Sequence, residues 1–128
     1  MKITFKTVLS LLLATVWISA SEFFRNEVLV KTHWVRHYEG LGLTFPAEAV
    51  NGAVWGLWSL LLAAAIYLLS TRFSLLQSTL IAWFMAFVLM WVVIGNLGVL
   101  PFAILPFALP LSLLEVFVAA WIIRKFRD

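Results

Sequence analysis

Glu115 is the residue of this chain whose surroundings most strongly suggest chemistry. It lies inside the long apolar segment Pro101 to Ile123, nine residues before Arg124. At about 1.5 Å per residue, that separation is roughly 13 Å of helix, so Glu115 would lie near mid-membrane if Arg124 marks a membrane boundary. A carboxylate at that depth costs at least about 2.5–3.5 kcal/mol, and such a group is by default a candidate for function.

The sequence offers Glu115 no counter-ion, because no lysine, arginine or histidine lies at comparable depth in the apolar segments. Without a cation, burial disfavours the charged form, and we expect a neutral carboxylic acid. Ser112, three residues earlier, shares its helix face and is the second candidate at this site. Such a site can carry a proton or exchange it for a cationic substrate. The alternative is a buried acid that only forms hydrogen bonds.

His33 and His37 have the i,i+4 spacing that lets two imidazoles bind one metal ion. They are the only histidines in the chain, so a complete metal site would need nearby carboxylates or a second subunit. Two solvated surface histidines are the simpler interpretation, and we expect no cofactor.

A third candidate is a polar pocket formed by Glu48, Asn51 and Asn96. Asn51 and Asn96 stand at the ends of two apolar segments that would open on the same side, and Glu48 lies just before Asn51. The alternative for Asn51 is that it caps the start of its helix.

The elements that must position these residues are four apolar segments. The chain has 128 residues, of which 64% are hydrophobic and 12% charged, a balance that a soluble domain of this size could not bury. A membrane-spanning helix needs about 20 apolar residues. The segments are 3–24, 50–70, 75–94 and 101–123. They predict an all-α membrane protein with one domain, a four-helix transmembrane bundle.

The loop 25–49 joins the first two segments and is the only long polar stretch. Residues Glu22 to Glu39 have the period of an amphipathic helix, which we expect to lie on the membrane surface or to cap the bundle. The first segment also resembles a signal peptide, but Ile18 replaces the small residue that cleavage requires, so we expect a retained helix.

The distribution of basic residues predicts the orientation. One side would carry six: Lys2, Lys6, Arg72, Arg124, Lys125 and Arg127. The other would carry three: Arg25, Lys31 and Arg36. The positive-inside rule then places both termini in the cytoplasm, in what we expect to be a bacterial inner membrane.

Small residues predict how the helices pack. They form stripes at intervals of three or four residues on three segments: Gly52, Gly56, Ser59 and Ala63; Ser78, Ala82 and Ala86; and Ala108, Ser112 and Ala119, with Glu115 in the last seam. We expect packing within one chain, with dimerisation as the alternative.

Several function classes find no support. The chain has no cysteine, no dense basic patch for nucleic acid, no nucleophile motif and no phosphate loop. An enzyme is therefore the less favoured interpretation. Three hypotheses remain. The first is a small transporter or channel-like protein that uses Glu115 as an oligomer, for small-molecule or proton-coupled transport. The second is an accessory subunit that binds another membrane protein, and the third is a membrane metalloenzyme that uses His33 and His37.

Overall fold

The computed structural model describes residues 2–128, which are all-helical apart from short connections. The helices in chain order are α1 (Phe5–Phe23), α2 (Lys31–Gly40), α3 (Ala49–Ser70), α4 (Leu75–Trp83), α5 (Leu89–Asn96) and α6 (Leu105–Arg127). There are also two π-helical segments. The first, Phe24–Leu29, continues α1, and the second, Phe84–Val88, joins α4 to α5. A 3₁₀ turn, Phe102–Ile104, precedes α6. Four continuous helices, Phe5–Leu29, Ala49–Ser70, Leu75–Asn96 and Phe102–Arg127, are thus long and apolar enough to cross a membrane.

The first long helix extends further than the sequence predicted. It continues through the π segment to Leu29, so the connection begins near Val30 rather than at residue 25. The predicted amphipathic helix is accordingly divided: its first residues belong to the long helix, and only Lys31–Gly40 forms the separate α2. The physical reason is that the Arg25 side chain, just beyond Phe24, faces into the bundle, where it finds carboxylate partners.

Helix α1 packs most extensively against α6, and the two run antiparallel. The Lys6 ammonium donates to the Asp128 backbone oxygen at 2.9 Å, which places both ends of the chain at one end of the bundle. We call this the terminal end, and the opposite end, which carries α2, the loop end. Arg124 donates to the carbonyls of Ser70 (3.3 Å) and Phe73 (3.0 Å), where the negative end of the α3 dipole favours a cation.

The predicted small-residue seam is confirmed on α6, where all four residues are buried. On α3 the prediction is half wrong. Ser59 and Ala63 are fully buried, but a Cβ built at Gly52 or Gly56 would meet no neighbouring atom within 4 Å. The glycines face open space because α2 and the segment that follows it stand away from α3.

The turn after α5 depends on Gly98. This residue has φ +77°, a left-handed conformation that favours glycine, and it closes the helix with Val99 N–H donating to the Ile94 carbonyl at 3.1 Å. The Gly98 carbonyl lies 2.7 Å from His37 Nε2, so the same turn holds α2 against the bundle.

Replacing Gly98 by alanine should lower the free energy of unfolding by about 1–2 kcal/mol, through backbone strain. A Cβ there meets no atom within 4 Å, so steric overlap adds nothing. Gly52→Ala is the matched control: it also adds a methyl group to open space, but in a helix, where alanine is favoured. Unfolding of the purified variants in mixed micelles with increasing dodecyl sulfate measures both. Equal stability of the two variants would contradict the assignment.

Candidate functional site

Three charged side chains meet inside the bundle and form what we call the charge cluster: Glu22, Arg25 and Glu115. The Arg25 Nη2 atom lies 2.5 Å from Glu22 Oε1, and its Nη1 atom lies 3.3 Å from Glu115 Oε1. Glu22 and Arg25 are each 4% exposed, and Glu115 is completely buried. One guanidinium thus joins two carboxylates, one from its own helix and one from α6.

The antiparallel packing of α1 and α6 explains why these side chains reach each other. Helical side chains lean toward the N-terminus of their own helix. Arg25 therefore leans toward the terminal end and over Glu22, while Glu115 leans toward the loop end. Trp17 fixes the level of the two helices, because its indole Nε1 donates to the Glu115 backbone oxygen at 2.9 Å.

Both π-helical segments contribute to the cluster. Arg25 lies in the first, where its carbonyl accepts from Val30 N–H at 3.0 Å, five residues on. Phe87 lies in the second, and its ring centroid is 5.5 Å from the guanidinium carbon of Arg25, within cation–π range. A π turn shifts the residues that follow it around the helix, and such turns occur frequently at functional sites.

The expectation that Glu115 has no counter-ion within the chain is therefore wrong. Arg25 was assigned to the loop, because the first helix was predicted to end near Phe24. The buried residues of the long helix nevertheless continue at intervals of three and four: Thr7, Ser10, Ala14, Ile18, Glu22 and Arg25. Extending that helical period past Phe24 was the signal that would have placed Glu22 and Arg25 inside.

The charges of the cluster do not balance. With both carboxylates ionised, they carry two negative charges against the one positive charge of Arg25. Glu115 Oε2 is buried and has no hydrogen-bond partner in the described chain. An uncompensated buried charge is costly, so the arrangement favours uptake of one further positive charge, either a proton or a monovalent cation.

Hydrogen bonds connect the cluster to the helix of the loop end. Asn26 Nδ2 donates to Glu22 Oε2 at 2.9 Å, and its Oδ1 accepts from Trp34 Nε1 at 3.1 Å. Because Trp34 belongs to α2, this path runs from α2 through Asn26 and Glu22 to Arg25. The position of α2 and the charge of the cluster are therefore physically linked.

Two adjoining cavities lie beside this path. The large cavity, of about 780 Å³, is bounded by the long first helix, α2, the segment 41–48 and α3. The small cavity, of about 140 Å³, lies deeper and touches Arg25 and Phe87. Four residues line both cavities: Glu22, Asn26, Trp34 and Trp55. The Glu22 carboxylate thus belongs to the charge cluster and also borders the large cavity.

The structure separates the other intramembrane candidate from Glu115. The Ser112 hydroxyl accepts from Trp83 Nε1 at 2.9 Å and donates to the Leu109 carbonyl at 3.2 Å. These bonds tie α6 to α4 and occupy the hydroxyl away from the charge cluster.

The predicted polar pocket is only partly assembled. Glu48 and Asn51 both line the large cavity, and Asn51 Oδ1 accepts from Glu48 N–H at 2.9 Å, as a helix cap does. Asn96 is exposed at the end of α5 and lines neither cavity.

The histidine pair lies on α2. Within residues 2–128, no group of three or more histidine, aspartate and glutamate side chains is placed to hold a metal ion. His37 Nε2 is engaged with the Gly98 carbonyl. A metal at His33 and His37 would need that contact to open and further ligands from outside the described chain.

The charge cluster predicts a strong coupling between Arg25 and Glu115. Arg25→Ala would leave two buried carboxylates without a cation and should cost about 3–5 kcal/mol of unfolding free energy. Glu115→Gln leaves a neutral Glu22–Arg25 pair and should cost much less. The double variant should be more stable than the sum of the two losses predicts. Strictly additive losses in dodecyl sulfate titrations would contradict the contact.

Comparison with protein-family models, with curated proteins and with solved structures finds no match to this chain. The chemistry of the site therefore rests on its own residues: a buried, shared carboxylate pair that holds one cation and favours a second positive charge.

Proposed function

We propose that this chain is an integral membrane protein whose four long helices cross the bilayer. The outward faces of these helices support the proposal, since they expose large apolar side chains at mid-helix, such as Leu61, Met85 and Leu114. Contiguous apolar surface of this extent is unfavourable in water and favourable in lipid.

Both termini would lie in the cytoplasm, in a bacterial inner membrane. The terminal end carries the six basic residues named above, and burial of Arg25 in the charge cluster leaves only Lys31 and Arg36 at the loop end. The difference between the two ends in the number of exposed basic residues, which the positive-inside rule uses, is therefore larger than the sequence alone indicated. The large cavity would then open on the outer half of the membrane.

The proposed activity is proton-coupled transport of a small molecule, and the unbalanced charge cluster is the observation that carries it. A proton on either carboxylate makes the cluster neutral, and its loss leaves a net negative charge beside a cavity of substrate size. Cavities of roughly 300–1,000 Å³ are typical of small-molecule sites. Arg25 contacts both carboxylates, so it can follow the negative charge from one to the other.

Two further polar side chains lie nearer the terminal end, separated from the cluster by the buried apolar residues Ala14 and Ile18. On the buried face of α1, Ser10 and Thr7 follow at three-residue spacing, and Thr7 Oγ1 lies 3.4 Å from Tyr67 Oη. These hydroxyl groups lie about 18 Å along the helix from Glu22, so a proton path between the cluster and the terminal end would need water molecules in the gap. Glu22, which borders the large cavity, would exchange protons with the loop end.

A second candidate function is that of an accessory subunit. The open face of α3 at Gly52 and Gly56 favours it, because small residues allow a partner helix to approach closely. A partner that copurifies with the native chain and is lost in Gly56→Leu would support this function.

The topology can be tested with single cysteines, because the natural chain contains none. Thr71→Cys, in the exposed turn between α3 and α4, should react with a membrane-impermeant maleimide only after cells are permeabilised. Glu39→Cys, at the exposed end of α2, should react in intact cells. The reverse pattern would invert the orientation, and reaction of both in intact cells would contradict insertion.

Proton transport can be tested in liposomes that contain a pH-sensitive dye. An outward gradient of a small organic cation should drive protons inward through the wild-type protein and acidify the lumen faster than in protein-free liposomes. Glu115→Gln, which keeps the side-chain shape but removes the charge imbalance, should reduce the rate at least ten-fold. Glu39→Gln makes the same change on an exposed site and should leave the rate unaltered. Wild-type rates in Glu115→Gln, or a wild-type protein no faster than empty liposomes, would contradict the proposal.

A further inference from the structure

We propose that the large cavity binds an organic cation carried on an apolar body, such as an alkylammonium amphiphile. This inference rests on the proposed function, because it names the class of molecule that would exchange with the proton. It is carried by the charge, the aromatic lining and the shape of the cavity.

The charged lining of the large cavity is predominantly acidic. It comprises three carboxylates, Glu22, Glu27 and Glu48, and one ammonium, Lys31. Glu27 and Lys31 neutralise each other through an ion pair of 2.8 Å. Glu48 forms no ion pair with any residue in 2–128, and Glu22 shares Arg25 with Glu115. The lining therefore disfavours anions and attracts one positive charge.

Aromatic rings line the same cavity. Trp34 stacks on Phe45 with 5.9 Å between ring centroids, and Tyr38 meets Phe45 edge-on at 5.2 Å. Trp55 lines the cavity from α3. The faces of such rings attract organic cations, and alkylammonium groups are recognised in this way in other proteins.

The rest of the lining suits an apolar body. On α3 the lining includes Val54 together with Gly52 and Gly56, whose missing side chains leave open space along the helix. A ligand can thus place an alkyl chain against this helix while its cationic group lies near Glu22, where the two cavities adjoin. The open glycine face that contradicted the predicted helix packing is explained by such an occupant.

The shared carboxylate connects binding to the proton. Two charged groups lie next to Glu22, namely Arg25 and Glu115. The other charged groups that line the large cavity are Glu27, Lys31 and Glu48. The residues that α3 and α5 contribute to the small cavity are uncharged. A cation beside Glu22 supplies the same single positive charge as a proton on the cluster. The two should therefore exclude each other, and a cation entering from the loop end would displace a proton.

The test is calorimetric titration of the full chain in phosphatidylglycerol nanodiscs, with empty nanodiscs subtracted. The probes share one chain length and differ in charge: dodecyltrimethylammonium, dodecanol and dodecanoate. We expect about one cation per chain, bound at least ten-fold more tightly than the alcohol or the anion. Affinity should fall as the pH is lowered, and Glu115→Gln should flatten this pH dependence.

Four variants locate the site. Glu22→Gln should weaken binding of dodecyltrimethylammonium at least ten-fold, and Glu48→Gln, on the exposed rim, should weaken it less. Phe45→Leu keeps the apolar volume and should weaken binding about three- to ten-fold through loss of the aromatic face. Glu39→Gln lies outside the cavity and should bind as the wild type does. Far-ultraviolet circular dichroism and thermal unfolding confirm that each variant is folded.

The results of these binding experiments decide which kind of molecule occupies the large cavity. Equal affinity for dodecanol and the cation would overturn the inference, because the cavity would then bind only the apolar body. Unchanged affinity in folded Glu22→Gln and Phe45→Leu would place the cation elsewhere and overturn it as well. Competition by added phosphatidylethanolamine would support it and identify the source as a lipid headgroup, whereas lack of competition would leave a soluble amphiphile.

The two proposals fail separately. Glu115-dependent proton movement without cation preference would overturn the ligand class alone. Cation binding without proton movement in liposomes would confirm the site and overturn transport.

Discussion

The buried guanidinium of Arg25 is the interaction on which the rest of the structure depends. A charge in an apolar interior is tolerated only when it is paired and hydrogen-bonded. Arg25 meets this condition through carboxylates from two helices and through the ring of Phe87. To supply them, the first helix must continue beyond its apolar segment, and α6 must present Glu115 at the same level. This requirement explains why the first helix extends to Leu29 and why α1 pairs antiparallel with α6. Both π segments contribute to it, since one contains Arg25 and the other contains Phe87.

The same arrangement connects the interior with the loop end. Trp34 of α2 donates to Asn26, and Asn26 in turn donates to Glu22, so α2 is connected through Asn26 to the carboxylate that balances Arg25. The large cavity exists because α2 is held there, away from α3. A molecule in the cavity therefore contacts both the helix that covers the site and the carboxylate that sets its charge.

The four long helices, the seam on α6 and the burial of Glu115 could be predicted, because each depends on a local pattern of apolar, small or charged residues. Arg25 could not be placed by the same rules, because charge marks the end of a membrane segment unless a partner lies inside, and the partner comes from a helix 90 positions away. The packing predicted for the glycines of α3 was wrong for a related reason. A stripe of small residues shows that a close approach is possible, but not which element makes it, and here the neighbouring wall stands back. Asn51 and Asn96 were grouped by their similar positions in the chain, whereas the cavity lies on one side of the bundle only.

The second carboxylate gives the cluster a net charge that a simple ion pair between α1 and α6 would lack. Arg25 and Glu115 alone would join α1 to α6 with no net charge, and adding Glu22 to a pair that is already neutral brings repulsion and further desolvation. Glu22 is nevertheless buried, 2.5 Å from the guanidinium, and borders the large cavity. A cluster built this way is neutral only when it holds one more positive charge. Since Glu22 borders the large cavity, the additional positive charge can reach the cluster from that cavity. The net charge of the cluster therefore depends on what the cavity contains.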